Sequence, residues 1–470
     1  MNIHQWRKDS FSQISNRVMV IRERWRDRAN HSVNYRILGA VITVVFLTLF
    51  VKFLGTAKEL VVAWRFGTGD QLDSFYIGYL VPEVIINVVA GAFNTALIPT
   101  YIKVREQEGQ VKANKLLSSA TVLSLAILSF TTVGLLLGAP RYLPHLASGF
   151  SPEKLDLTYK LLWTASPLVL LTGLLTIWSG VLNAGERFAL AAIAPIIFPL
   201  LTIMLLFMVP SWGVFGLTGG LVGGALIELI LLGIALRRQQ IAILPRWYGY
   251  DRNLHQVTQQ YLPMIAGSFL MCSTGLVDQA MAATLPSGSV SSLNYGNRIT
   301  ALPITLISTA LGTAVIPYFS KMVANGEWRE LRSTLNQALQ WITIATIPIT
   351  LGLIYFSESI VRLLFQRGSF TIHDVQLVAQ IQIFFALQIP LRGPGALVVQ
   401  LISTARANHI LMWGSAINLI INIVLDSYFM NLFGVAGIAL STTFVYLFST
   451  TYLWISANRI IDRNLKLISN

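Results

Sequence analysis

The charges that interrupt long apolar runs are the first residues that could do chemistry. Lys52 and Lys58 lie six residues apart in one run with Glu59 beside them, Arg298 falls in a second and Arg392 in a third. A charge in hydrocarbon costs roughly 2.5–3.5 kcal/mol on insertion scales, which makes each a candidate site. Cations contributed by both halves of a molecule to one cavity would suit a phosphate or diphosphate. The structural alternative is ion pairing, as between Lys58 and Glu83, or snorkelling of Lys52 and Arg392 towards an interface. A second set is acidic. Asn422 and Asp426, four residues apart, share a helix face, Thr442 opens the following run, and Asp278 lies within MCSTGLVDQAMAA. Two carboxylates, an amide oxygen and a hydroxyl make an all-oxygen site for a hard cation. In a transporter that cation is Na⁺ or a proton acting as coupling ion. The alternative leaves Asp426 solvated at the end of its span and Asn422 in a packing contact.

The elements that must position these residues follow from composition. The 470 residues are 54% hydrophobic and only 12% charged, with a net charge of +13 and mean hydropathy +0.63. Soluble domains carry about 25% charged residues, so a soluble enzyme, a disordered chain and a nucleic-acid binder are excluded. Continuous apolar runs of the ~20 residues that cross a bilayer recur from Ile37 to Ala457. A β-barrel would show short alternating segments instead. The reading is an all-α polytopic membrane protein.

Twelve spans are predicted, at 38–64, 74–101, 116–138, 158–182, 188–209, 213–236, 257–284, 290–319, 333–357, 376–403, 410–430 and 434–457. With the N-terminus inside, 24 Lys and Arg fall in the inside segments and six in the outside loops, which places both termini in the cytoplasm. Residues 1–36 are basic and lack the apolar core and cleavage site of a signal peptide. They read as a cytoplasmic tail that either lies on anionic lipid or only sets topology.

The halves repeat. LDSFYIGY (72–79) and ALIPTYIK (96–103) match VSSLNYGN (290–297) and AVIPYFSK (314–321) at a common offset of 218, and GVFGL (213–217) matches GVAGI (434–438). Six spans per half is an even number, so the expected axis is a parallel pseudo-twofold along the membrane normal. Two six-helix lobes, 37–238 and 257–458, joined by the linker 239–256 and followed by a tail at 459–470, are the expected domains.

Gly219, Gly220, Gly223 and Gly224 form overlapping small-xxx-small patterns and predict close helix packing. No Lys-Ser/Thr follows them, so they are not a phosphate loop. Pro82, Pro303, Pro390 and LRGPGA (391–396) are expected to interrupt spans. The lone Cys272 excludes an internal disulfide, and no hydrolase or zinc motif is present. Nothing argues for catalysis.

FLGTAKELVVAWRFGTGDQLDSFYIGYLVPEVI, LPSGSVSSLNYGNRITALPITLISTALGTAVIPYFSK and LLFQRGSFT (363–371) resemble the MurJ/MviN family of lipid II flippases, within the multidrug/oligosaccharidyl-lipid/polysaccharide (MOP) exporter superfamily. The resemblance runs over nearly all twelve spans. It implies the exporter fold and an inner-membrane flippase that moves an undecaprenyl-diphosphate-linked saccharide outward by alternating access. By position, the family's diphosphate-gripping cations fall on Lys52, Lys58 and Arg298, and its Asp-Ala-Phe aspartate falls on Asp73. Its cation site falls on Asp278, Asn422, Asp426 and Thr442, with a carbonyl from Ile438.

The departures bear on the substrate. Where the family carries an arginine pair after Pro-Asn-Leu-Leu, this chain reads PEVIINVVAGAF, with Ile86 and Asn87 at that place and Glu83 adding an acid. Glu59, Glu83, Asn87 and Arg392 join the substrate-facing candidates. Lysine replaces arginine at two positions, losing the bidentate fork. Twelve spans stand where the family has fourteen, without the pair that forms a lipid-tail groove. The glycan is therefore either that of lipid II or another polyprenyl-linked oligosaccharide. A multidrug/cation antiporter and a transport-inactive scaffold are the alternatives. The first predicts an acidic, aromatic cavity, and the second would not need to keep intramembrane charges. The expected partners are a lipid-linked glycan and membrane lipids, with no nucleic acid and no cofactor beyond the coupling ion. The protein is expected to work as a monomer, alone or with cell-wall or polysaccharide synthesis machinery.

Overall fold

The computed structural model describes residues 33–469, so most of the basic N-terminal tail lies outside the described residues. The described chain is helical from end to end, and the twelve predicted spans all appear as helices. The first is Val33–Phe66, the second Asp70–Glu108, the third Gln110–Leu146, the fourth Pro152–Ala184, the fifth Phe188–Met208 and the sixth Phe215–Arg238. The seventh is Arg252–Ala282, and the eighth is Ser289–Ala314 continued by Ile316–Asn325. The ninth is Trp328–Tyr355, followed by the short helix Ser357–Phe365. The tenth is Ile372–Ala386 plus Ile389–Thr404, the eleventh Asn408–Phe433 and the twelfth Val435–Ser469.

Most helices extend past the apolar limits read from sequence, because charged and capping residues continue the helix beyond the hydrocarbon edge. Ser151 accepts from the Lys154 backbone N–H at 3.3 Å ahead of Pro152, and Asp251 accepts from Leu254 N–H at 2.8 Å. Thr371 and Asp374 form a reciprocal capping box at the start of the tenth span. Eight described helices, or nine with the bent tenth span, are long and apolar enough to cross a bilayer. The first, seventh and eighth spans carry Lys52, Lys58 and Glu59, then Asp278, then Arg298.

The packing repeats as the sequence does. The first span lies on the fifth as the seventh lies on the eleventh, and the second on the fourth as the eighth on the tenth. The fourth packs on the sixth as the tenth on the twelfth, and the fifth and sixth pair as the eleventh and twelfth do. Gly213 and Gly434 share one backbone conformation, at φ 52° and 57°. The break between Ala165 and Pro167 in the fourth span is matched in the tenth by the 41° bend between Ala386 and Ile389. These are two six-helix lobes with the parallel pseudo-twofold of the exporter fold.

Not every expected break occurs. Pro82, Pro303 and Pro394 stay inside continuous helices, whereas Pro390 does mark a break, opening the second helix of the tenth span at its bend. The irregularity in the second span comes after Pro82, as a π-helical turn at Ile86–Ala90. One extra residue per turn there rotates the helix, turning Ile86 into the N-lobe core and leaving Asn87 exposed.

The glycine pattern of the sixth span is a packing seam. A Cβ on Gly220 would stand 2.6 Å from Thr202 Cα, and one on Gly224 3.0 Å from Phe198 Cα. Gly220→Leu is expected to cost about 1–3 kcal/mol through forced separation of the fifth and sixth spans. Gly219→Ala, which meets only side-chain ends, the Trp212 ring at 3.3 Å and Leu205 Cδ1 at 3.5 Å, should cost little. Unfolding midpoints of the purified protein check both.

Candidate functional site

A cavity of about 600 Å³ lies between the lobes. The N-lobe contributes Lys58 and Glu59 from the first span, and Tyr76, Tyr79, Glu83 and Asn87 from the second. The C-lobe contributes Cys272 and Gln279 from the seventh and Asn294, Asn297 and Arg298 from the eighth. At its centre Glu59 Oε1 accepts from two cations at once, Lys58 Nζ at 2.8 Å and Arg298 at 3.3 Å. The second pair joins the two lobes. Glu59 is buried, whereas the Arg298 side chain is 55% exposed and so is available to a ligand. Lys58 therefore pairs with Glu59, and the alternative pairing with Glu83 does not form.

A side cavity of about 290 Å³ shares Lys58, Glu59 and Arg298 with the central one. It runs along Val51, Lys52, Gly55 and Thr56 of the first span and Ala301, Leu302 and Thr305 of the eighth. Lys52 thus lines a side cavity between these two helices. Arg392 is set back from both cavities, its guanidinium 4.6 Å over the ring of Tyr446, which itself lines the central cavity.

Asp73 needs a correction. The resemblance sets it among substrate residues, but its side chain is 1% exposed and lies outside the cavity lining. Its two oxygens accept from the backbone N–H groups of Gly288 and Ser291, each at 2.8 Å, and from Lys154 Nζ at 2.9 Å. The carboxylate sits at the N-terminus of the eighth span, where free amides and the helix dipole favour an anion. Lys154, counted by sequence as a loop charge, is buried on Asp70 at 2.6 Å, on Asp73 and over the Phe150 ring at 3.9 Å. Sequence reasoning missed it, although Asp70 and Asp73 on one helical turn ask for a cation. The same end of the molecule holds further bonds between lobes. Thr68 donates to Asp374, and Ser369 donates to Trp64 O at 2.9 Å and to Arg65 O at 3.0 Å. Gly67, at φ 57°, lets the chains touch, since a Cβ there would lie 2.4 Å from Ser369 O. Asp73 is thus the centre of a latch that closes one end, and the side cavity extends away from it.

The acidic set comes together inside the C-lobe. Asp278 accepts from Asn422 Nδ2 at 2.9 Å and Thr442 Oγ1 at 3.2 Å, with Asp426 beside it. Asp426 is fully buried, contrary to the solvated alternative, and Asn422 is 1% exposed. Among the described residues both Asp426 oxygens and Asn422 Oδ1 lack a hydrogen-bond partner. Ile438 O accepts from Thr442 at 2.9 Å. Two buried carboxylates with no cation beside them must hold an ion or a proton. Oxygen donors without nitrogen or sulfur suit a hard cation, so the residues fit Na⁺ as well as a shared proton. Among the described residues no group of three His, Cys, Asp or Glu could bind a transition metal.

Two lobes latched at one end, with charges of both meeting in a cavity between them, define a membrane transporter of the MOP superfamily fold. A multidrug resistance MATE transporter of that superfamily, in an inward-facing conformation, superposes with TM-score 0.77 at 13% identity, covering 91% of this chain and 99% of that one. The lipid II flippase MurJ in an inward closed conformation superposes with TM-score 0.78 at 24% identity, covering 90% and 91%. The family model for the lipid II flippase MurJ matches residues 62–467, and the chain belongs to that family. A probable lipid II flippase MurJ of Rhizobium tropici is 29% identical over 360 residues, 74% of this chain and 67% of its own.

Cys272, the single cysteine, lines the cavity and reports on the latch. An impermeant maleimide is expected to label it from the side of the 239–251 linker and not from the latch side. Asp73→Ala removes three donors' shared acceptor, each charged hydrogen bond being worth about 1.5–3 kcal/mol. Labelling from the latch side should then rise roughly tenfold.

Proposed function

We propose that this protein carries an undecaprenyl-diphosphate-linked saccharide, lipid II or a related lipid-linked oligosaccharide, to the outer leaflet of the inner membrane by alternating access. The observation that carries this reading is the Lys58–Glu59–Arg298 bridge, which joins cations of both lobes in a central cavity continued by a side cavity along the first and eighth spans. The relatives' shared name supplies lipid II as the first substrate to test.

The chemistry follows from the bridge. One carboxylate holds two cations in a low-dielectric site, where they would otherwise be costly. A diphosphate offers more acceptor oxygens and charge than Glu59, so it can take Lys58 and Arg298 from it with charge-assisted hydrogen bonds. Lys52, on the path between the first and eighth spans, meets the anion on entry while the polyprenyl tail stays in lipid. A ligand held by both lobes changes their relative stability, and only such differential binding shifts the equilibrium between latched and open states. The lobes 37–238 and 257–458 move about the linker 239–256 in this reading, with both termini on the cytoplasmic side where Lys and Arg are concentrated.

A bound Na⁺ would supply a counter-charge for Asp278 and Asp426, with Asn422 and Thr442 as neutral oxygen donors. Its occupancy biases the C-lobe helices that carry them, which is the physical basis of coupling.

Each substitution Lys58→Ala and Arg298→Ala is expected to slow flipping of labelled lipid II in proteoliposomes by about 10- to 150-fold, one charged contact's worth. Protein levels should hold. Normal rates in both variants would overturn the cavity reading. Complementation of a lipid II flippase-depleted cell separates lipid II from other glycans: rescue selects lipid II, and failure of a well-expressed protein selects another. Na⁺ at 100 times its Kd should stabilise the protein by about 2.7 kcal/mol against unfolding. Asp278→Asn and Asp426→Asn should each abolish that Na⁺-dependent shift. An unchanged shift rejects the site, and stabilisation by acid alone selects the proton.

A further inference from the structure

The charges of the central cavity do not balance once a diphosphate is bound. Two cations, Lys58 and Arg298, face two carboxylates, Glu59 and Glu83. Both cations form their ion pairs with Glu59, and Arg298 also lies within electrostatic reach of Glu83. Glu83 is exposed in the cavity, and among the described residues its carboxylate has neither an ion pair nor a hydrogen bond. A diphosphate that takes both cations leaves a cavity with two carboxylates and at least two phosphate charges against two positive ones. In a site of low dielectric such an excess opposes binding unless the substrate brings positive charge of its own.

The surroundings of Glu83 are those of an ammonium site. Asn87 and Gln279 offer neutral amide oxygens, and Tyr76 and Tyr79 line the same wall. Tyr79 lies parallel to Phe75 with ring centroids 6.1 Å apart, so its orientation is supported from behind. Carboxylate, amide oxygen and aromatic face together are the groups that bind a primary ammonium. Glu83 and Asn87 lie four apart and share a helix face, while Ile86, where the π-helical turn Ile86–Ala90 begins, is buried.

We infer that Glu83 binds a primary ammonium carried by the substrate's head group, so that the cavity recognises a zwitterion: diphosphate at Lys58 and Arg298, and amine at Glu83. This rests on the flippase reading and adds the class of head group it selects.

The test compares two probes on the purified full-length protein, in EDTA so that no divalent ion replaces the amine. One is lipid II with a free lysine side-chain amine in its peptide, and the other is the same molecule with that amine acetylated. Acetylation is expected to weaken binding to the wild type by about 10-fold or more. Glu83→Gln should bind both probes equally and hold the acetylated probe more tightly than the wild type does, and Glu83→Asp should keep part of the preference. The wild-type comparison needs no variant to fold. Equal wild-type binding of the two probes overturns the ammonium site and leaves the flippase reading standing. A parallel loss of both probes in Glu83→Gln, with the protein still folded, also overturns it. Binding of neither probe, with tetraphenylphosphonium bound instead, overturns the flippase reading and the inference together.

Discussion

A charge inside a membrane protein persists only if something answers it, and this requirement organises the structure. Glu59 is the main instance. Alone, it would be an unpaired carboxylate in hydrocarbon; beside Lys58 it would be a neutral pair of one lobe. Only by also reaching Arg298 at 3.3 Å does it join the lobes. The bond crosses the cavity, so the groups that hold its two walls together are those a diphosphate would compete for.

The same requirement explains the other two polar clusters. Asp73 and Lys154 lie deep in the closed end, where Asp73 takes the free amides of the eighth span's first turn. Because Asp73 and Lys154 belong to one lobe and those amides to the other, the latch must break if that end opens. Asp278 and Asp426 differ: Asp278 has an amide and a hydroxyl donor, and among the described residues neither carboxylate has a side-chain cation. What balances them comes from outside the chain. One cluster thus carries internal compensation in the central cavity, one carries it at the closed end, and one leaves it to an ion or a proton.

Much of this was legible in the sequence. Periodicity of apolar runs located all twelve spans, the internal repeat gave the six-plus-six arrangement, and Asn422–Asp426 spacing placed both on one helix face. Lys58, Glu59 and Arg298 were identifiable because charges stand out against 54% hydrophobic residues. What was not legible was partner choice. Lys58 has both Glu59 and Glu83 within plausible reach in sequence, and Asp73 resembles a substrate residue until its two amide donors 215 and 218 positions away are seen. Lys154 looked like a loop cation because sequence distance from an apolar run says nothing of burial.

The sequence by itself determined that this is a two-lobed helical membrane protein with a few intramembrane charges, since hydropathy and charge spacing are properties of the chain alone. Only the tertiary structure decided which charges face a cavity, which lock a gate and which stand unanswered. That depends on helix rotation, to which one π-helical turn contributes at Ile86–Ala90, and on contacts between residues hundreds of positions apart. Hydrocarbon makes every such pairing expensive to omit, so the sequence advertises that partners exist, and the packing of helices chooses them.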